Sequence, residues 1–176
     1  AGRTFKLFKF ATMLKNSPNV GAGNITVTDD PRVLPVGKFL RKTKLNELPQ
    51  LLNVCRGEMS LIGPRPLTLD HYESYEEGAR NIIYSVRPGL SGVGSIIFRD
   101  EEKLFRLSDN PKATYEELVS PFKQEVELWY VENRGITNYV LLIFCTMICI
   151  LIPNSRLLWS VFPNLPEPGS KLGSLL

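Results

Sequence analysis

The sequence predicts a single α+β domain, mainly helical, with a few short strands and an uncharged helix that either packs in the core or is one of the membrane-surface helices. Three observations lead there. Apolar residues recur at helical spacing through Leu45, Leu48, Leu51, Leu52 and Cys55, and again through Phe122, Val126, Trp129 and Tyr130. Strand-like alternation is confined to short stretches. Residues 139–152, "YVLLIFCTMICILI", run for fourteen positions without a charge.

Each element follows from its local chemistry. Residues 4–14, "TFKLFKFATML", alternate apolar and polar side chains and read as an edge strand. "NSPNVGAGN" reads as a loop, "ITVT" as a short strand and "DDPR" as a turn. A helix is expected over 36–41, and the next from Asn46 or Glu47 to Cys55 or Arg56, with Gly57 as its stop. "GPRPLTLD" must be extended, because each proline disfavours helix in the residue before it. "RPGLSGVGS" reads as a glycine-rich loop leading into a strand at "IIF", residues 96–98. Ser120 followed by Pro121 marks a helix start that runs to about Gly135. The uncharged run at 139–152 is shorter than the roughly 20 residues a spanning helix needs. It suits a core helix or one lying in the interface, with Trp159 and Phe162 placed to settle at headgroup depth. Residues 1–162 then form the working domain, and 163–176, rich in proline and glycine, a flexible tail.

Charge is distributed unevenly over the 176 residues. Residues 1–44 carry +7 and the remainder −4, for a net +3. A basic N-terminal quarter suits a phosphate-bearing partner, although a solvated basic face has the same composition. Cys55, Cys145 and Cys149 form no metal-binding pair and imply no disulfide framework, which suits a reducing compartment. His71 is the single histidine, so a His-rich zinc site is excluded, and no GxSxG elbow accompanies it. The chain begins on Ala1 and enters strand-like sequence at once, which suggests a piece of something longer.

Two places could carry chemistry. Asn46-Glu47 lies just before Pro49, which is tolerated only in the first turn of a helix. Both side chains therefore sit at a helix start, where amides and the dipole favour a phosphate. The same residues also serve as an ordinary N-cap and first-turn acid. Arg65 stands between Pro64 and Pro66, which restrict its backbone and leave a guanidinium aimed in advance, either a bidentate phosphate clamp or a rigid exposed turn. Arg41 and Arg99 are weaker candidates of the same kind.

The string "GKFLRKTKLNELPQLLNVCRGEMSLIGPRPL" resembles the bacterial sugar transferases, the monotopic polyprenyl-phosphate phosphoglycosyl transferases. "FKLFKFATM", "DDPR", "VRPGLSG" and "ELWYVENR" support the likeness, which covers about residues 5–152. "GVGSIIFRDEE" is similar to the family's Gln-Val-Asn-Gly-Arg segment, with Arg99 in place of its arginine. The resemblance implies an enzyme at the cytoplasmic face of the bacterial inner membrane that starts exopolysaccharide, capsule or glycan assembly. In that family pattern the aspartate of an Asp-Glu pair attacks the β-phosphate of a UDP-sugar and releases UMP; a polyprenyl phosphate, aided by the glutamate and by Mg²⁺, then takes the sugar phosphate. By motif, Asn46 holds the nucleophile position and Glu47 that of the general base. Arg41, Arg65 and Arg99 fall on phosphate- and nucleotide-handling positions, and Glu127 on an acidic position of the later helix. The partners implied are a UDP-sugar, a polyprenyl phosphate and a membrane surface, with no nucleic acid.

The chain departs from that pattern in three ways. Asn46 stands where an aspartate is expected, Ala11 replaces a basic residue, and the re-entrant membrane helix expected before the first strand would lie upstream of Ala1. With a neutral amide at position 46, a non-catalytic relative that binds UDP-sugar or lipid phosphate is the competing expectation.

Overall fold

Pro35, whose fixed φ suits a first helical turn, opens helix α1 (Pro35–Lys42). Arg41 and Lys42 in its last turn complement the negative end of the helix dipole. The computed structural model describes residues 4–17, 30–68, 72–73, 75–106, 110–152 and 156–176. The expected strand at 25–28 and His71 lie outside them, as does part of the loop before that strand.

α1 stops at Lys44, which takes a left-handed backbone, φ 59, uncommon for a residue with a Cβ. The expectation of one helix over about 46–56 is corrected here. A 3₁₀ turn, Leu45–Glu47, comes first, and α2 (Gln50–Cys55) follows. The cause is Pro49, which has no N–H to donate back to Leu45. The chain tightens instead, with Leu48 N donating to Leu45 O (3.2 Å), Leu51 N to Leu48 O (3.0 Å) and Leu52 N to Pro49 O (3.1 Å). Gly57, at φ +72, ends the element as expected.

The faces of this element are reversed from the ordinary rule. Leu45, Leu48, Leu51, Leu52 and Cys55 are exposed, while Gln50 and Asn53 are buried. Asn53 is fully buried because it serves as partner to a neighbouring segment. Its Oδ1 accepts Phe8 N at 3.1 Å, and its Nδ2 donates to Lys6 O at 2.8 Å and Glu58 Oε2 at 2.7 Å. Phe10 N donates to Asn46 O at 3.0 Å. Residues 4–14 are therefore no regular edge strand: an asparagine side chain and a turn carbonyl take up backbone groups of Lys6, Phe8 and Phe10, while Leu34 N donates to Thr12 O at 3.0 Å and Leu14 N to Arg32 O at 2.9 Å. Met13 alone bridges antiparallel, to Val33. Behind that bridge the "DDPR" turn is held by a buried ion pair, Arg32 Nη2 to Asp30 Oδ2 at 2.6 Å.

The sheet has two parallel strands, β1 (Ser60–Ile62) and β2 (Gly89–Ser91), in the register Ser60 to Gly89 and Ile62 to Ser91. Helix α3 (Glu77–Ile83) lies between them in sequence. The strand expected at 96–98 is overturned: Ile96 and Ile97 belong to helix α4 (Val93–Ile97), where Val93, Ile96 and Ile97 point into the core at helical spacing. Glycine explains why the strand falls earlier. A Cβ on Gly89 would lie 2.1 Å from Gly63 N, and one on Gly92 2.2 Å from Gly63 O, so only bare backbone can pass there.

Beyond α5 (Glu101–Arg106), α6 (Pro111–Thr114) runs through a π-helical stretch, Tyr115–Val119, into α7 (Ser120–Glu132). Ser120 is thus no cap. The wider π turn directly before Pro121 lets the helix pass a residue that cannot donate. α7 buries Phe122, Val126 and Tyr130 as its spacing predicts. Gly135 leads into α8 (Ile136–Leu151), the uncharged run. Sixteen residues at 1.5 Å rise reach about 24 Å, less than the ~30 Å hydrocarbon thickness. No helix among the described residues is long and apolar enough to cross a membrane. Leu142, Cys145 and Cys149 face inward, while Val140, Phe144, Met147, Ile148 and Leu151 face outward.

Two expectations at the C-terminal end are corrected. Phe162 is buried edge-to-face against Trp129, ring centroids 5.5 Å apart, and Trp159 on α9 (Leu157–Val161) donates its indole N–H to Pro166 O at 2.9 Å. Phe162 belongs to the packed interior, and Trp159 is half-buried at its edge. Residues 163–176, expected as a flexible tail, carry the short helix α10 (Ser170–Gly173) and place Leu165 and Leu172 in the same core as Val93, Val126 and Leu142.

Candidate active site

Asn46 and Glu47 sit on the 3₁₀ turn, between a left-handed lysine and a proline. Neither acts as a cap: Lys44 precedes the turn and Pro49 precedes α2, and neither start receives a side-chain cap bond. The Asn46 Oδ1 is buried and has no hydrogen-bond partner among the described residues. A buried acceptor left without a donor costs about 1–3 kcal/mol. Such a cost is characteristic of functional sites rather than of scaffolding.

Glu47 is the carboxylate at the centre. Arg65 Nη2 donates to its Oε1 at 2.9 Å, and Lys9 Nζ stands 3.4 Å from the same oxygen. Both contacts fall on Oε1, leaving Oε2 outside them. Burial alone would raise this carboxyl, whose side chain is 14% exposed, but Arg65, Lys9 and Lys44 outweigh it and hold the group at about 2. It is therefore ionised at any physiological pH. Burial lowers both lysines from their ordinary value, with Arg65 adding to the effect and Glu47 opposing it. Three cations around one carboxylate leave an excess of positive charge, the balance a diphosphate requires.

Arg65 has its guanidinium 40% exposed while its backbone is fixed. Its N–H donates to Glu127 Oε1 at 3.3 Å, and Pro64 O accepts Gly89 N at 2.8 Å. Arg99 follows α4. Its Nη2 donates to Ile150 O at the end of α8, its carbonyl receives Lys44 Nζ at 3.0 Å, and its buried Nε and Nη1 have no partner among the described residues. Two unpaired guanidinium N–H groups beside a cationic nest are donors waiting for an anion.

Of the residues singled out from sequence, the structure brings together Asn46, Glu47, Arg65 and Arg99, with Glu127 behind Arg65. Arg41 stays in the last turn of α1, half-buried, and makes no ion pair with Glu47. Glu127 is 4% exposed, and burial pushes its carboxyl up to about 7 against the pull of the Arg65 N–H and Lys123. It is an interior residue behind the site. Lys9 and Lys44 complete the nest and escaped the sequence reading. The basic N-terminal quarter was their only signal, and it could not separate them from seven other basic residues there.

A profile of the bacterial sugar transferases matches residues 1–153. The chain belongs to the bacterial sugar transferase family. It is 34% identical over 164 residues to the UDP-galactose-lipid carrier transferase of Erwinia amylovora, an alignment covering 85% of this chain and 31% of that protein. With the undecaprenyl-phosphate galactose phosphotransferase of Salmonella typhimurium it shares 31% over 164 residues, 85% of this chain and 31% of the relative. With the exopolysaccharide production protein ExoY of Sinorhizobium fredii the identity is 43% over 114 residues, 57% of this chain and 50% of ExoY. The chain thus spans a third to a half of the length of these curated relatives.

Proposed function

We propose that this sugar transferase domain moves a sugar phosphate from a UDP-sugar to a polyprenyl phosphate at the cytoplasmic face of the membrane, with Glu47 as the attacking group. The observation that carries the reading is the ionised Glu47 carboxylate set among Lys9, Lys44 and Arg65, with Oε2 outside its ion pairs. A donor diphosphate entering this nest is neutralised by the three cations, and the unpaired Nε and Nη1 of Arg99 supply further donors. A Glu47 oxygen attacks the β-phosphorus and the bond to the α-phosphate oxygen breaks. UMP leaves, and the sugar phosphate stays on Glu47 as an acyl phosphate. An oxygen of the polyprenyl phosphate then attacks the same phosphorus, returning Glu47 as a free carboxylate and forming the sugar diphosphate lipid. Asn46, neutral, cannot carry the covalent step.

The oxygen donors at this centre do not fit a Mg²⁺ held by the protein. Glu47 has its Oε1 taken by cations and Asn46 contributes only an amide oxygen, so a Mg²⁺ here would depend on the bound diphosphate for its charged ligands.

The lipid substrate is supported by the surface around the nest. Leu45 and Leu48 flank Asn46-Glu47 and lie exposed beside Leu51 and Leu52. Arg99 in turn is tied to Ile150, next to the exposed Leu151 and Met147 of α8. A phosphate headgroup in the nest would have its hydrocarbon chain against these apolar flanks, in the leaflet.

The test is UMP release by the full-length protein in liposomes containing polyprenyl phosphate, with UDP-sugars as donors. Turnover that is lost in Glu47→Gln and accompanied by a trapped phosphosugar on residue 47 is the expected result. UDP-sugar binding with no UMP release would favour a binding-only relative, a reading for which the amide at position 46 speaks.

A further inference from the structure

The peptide unit that joins Pro64 to Arg65 is held at both ends. Its carbonyl oxygen, on Pro64, accepts Gly89 N from β2 at 2.8 Å, and its N–H, on Arg65, donates to Glu127 Oε1 at 3.3 Å. Pro64 itself is fully buried, and Pro66 restricts the backbone on the far side. The first contact is main chain to main chain, beyond the end of β1. The second depends on one side chain, 62 residues away on α7.

That side chain has a place made for it. A Cβ on Gly94 would stand 2.5 Å from Glu127 Oε1, so the carboxyl reaches the loop across a gap that glycine alone leaves open. Glu127 Oε2 is buried with no hydrogen-bond partner among the described residues. The residue accordingly keeps one oxygen unsatisfied in the interior in order to present the other to Arg65. An apolar residue of similar size would avoid this cost, so stability alone does not account for a carboxyl here.

We infer that Glu127 is a positioning residue that fixes the Pro64–Arg65 peptide so that the Arg65 guanidinium stays on Glu47. It touches neither donor nor acceptor; it acts through the main chain of Arg65. The accepting oxygen is present in the carboxylic acid, the carboxylate and an amide alike, so glutamine replaces it and leucine does not. The consequence for donor binding rests on the transferase reading above, whereas the link between Glu127, Arg65 and Glu47 does not.

The Glu47 carboxyl reports on that link directly, because Arg65 contributes most among the cations that hold it at about 2. Its ¹³C signal is followed in the full chain between pH 3.5 and 7, alongside calorimetric titration with UDP. In the wild type and in Glu127→Gln, Glu47 should show no titration in that window. In Glu127→Leu its pKa should rise by about one unit or more, so that the protonated fraction at the acid end of the window, roughly a few per cent in the wild type, grows several-fold. Arg65→Ala should raise it further, and adding Glu127→Leu to Arg65→Ala should change nothing more. A folded Glu127→Leu protein with Glu47 unmoved overturns the inference, as does full additivity of the two substitutions. Should Glu127→Leu fail to fold, Gly94→Ala, which pushes Oε1 off the loop, must shift Glu47 the same way, and an unchanged titration there is equally fatal. Wild-type protein that fails to bind UDP refutes the transferase reading, while the Glu47 titration still decides the role of Glu127.

Discussion

Glu127 should make the stability of the fold fall as pH rises through neutrality. Its carboxyl is raised from 4.5 to about 7 by burial. The folded state therefore binds a proton that the unfolded state releases between those values. Stability from this group is fully present below about 4.5 and is lost as pH rises through 7. A shift of about 2.5 units at 1.36 kcal/mol each corresponds to about 3 kcal/mol overall, of which some 2–3 kcal/mol falls between pH 5 and pH 8. Glu127→Gln keeps the acceptor for Arg65 N–H and removes the titration. Urea unfolding followed by tryptophan fluorescence at both pH values gives the comparison, with the wild type losing about 2 kcal/mol more than the variant across the interval. Other groups change the absolute values but cancel in this difference. Equal losses in the two proteins would mean that the buried carboxyl titrates as it does unfolded, and the burial argument would be wrong.

Asn46→Asp should alter stability by less than about 1 kcal/mol, since no cap bond depends on the side chain, yet it adds the second carboxylate that a divalent cation lacks here. Calorimetry should then detect Mg²⁺ binding in the presence of UDP that the wild type does not show, together with faster UMP release; unchanged cation binding counts against this account. Gly89→Ala drives a Cβ to 2.1 Å from Gly63 N, and should cost about 3 kcal/mol or more by urea titration as the two-stranded ladder parts. A near-neutral result would show that the strands can separate freely. Replacing the exposed Leu51 and Leu52 together by glutamate should leave unfolding within about 1 kcal/mol of wild type while sharply reducing sedimentation with anionic liposomes. Retained liposome binding would remove this face from the membrane contact.

Much of the helical scaffold was legible because its signals are local. Pro35 and the basic last turn define α1, Gly57 ends α2, and the spacing of Phe122, Val126 and Tyr130 gives the buried face of α7. What escaped depends on distant partners. A leucine stripe normally points inward, and nothing near Leu48 or Leu51 in sequence reveals that Asn53 must turn inward to serve Lys6 and Phe8. Ile96 and Ile97 have strong strand propensity, but the close approach of Gly63, Gly89 and Gly92 sets the ladder earlier, at Gly89–Ser91. Trp159 and Phe162 look interfacial until Trp129 and Pro166 are in place around them. In the site, Glu47 and Arg65 were legible as candidates from their prolines, whereas Lys9 reaches Glu47 across 38 residues and carries no local mark.

The long reach of these contacts has a kinetic consequence. Lys9 meets Glu47 over 38 residues, Lys44 meets Arg99 over 55, and Arg65 meets Glu127 over 62. Contacts of such separation bear the loop-closure entropy before they return any energy, so they form with the chain as a whole rather than ahead of it. α7 and α8 can nucleate early from neighbouring turns, but the cationic nest has no local precursor. During synthesis, Glu47 would stay unpaired with Arg65 in its final orientation until α7 had emerged and docked. A nascent chain halted before residue 127 should thus hold helices and yet bind no diphosphate.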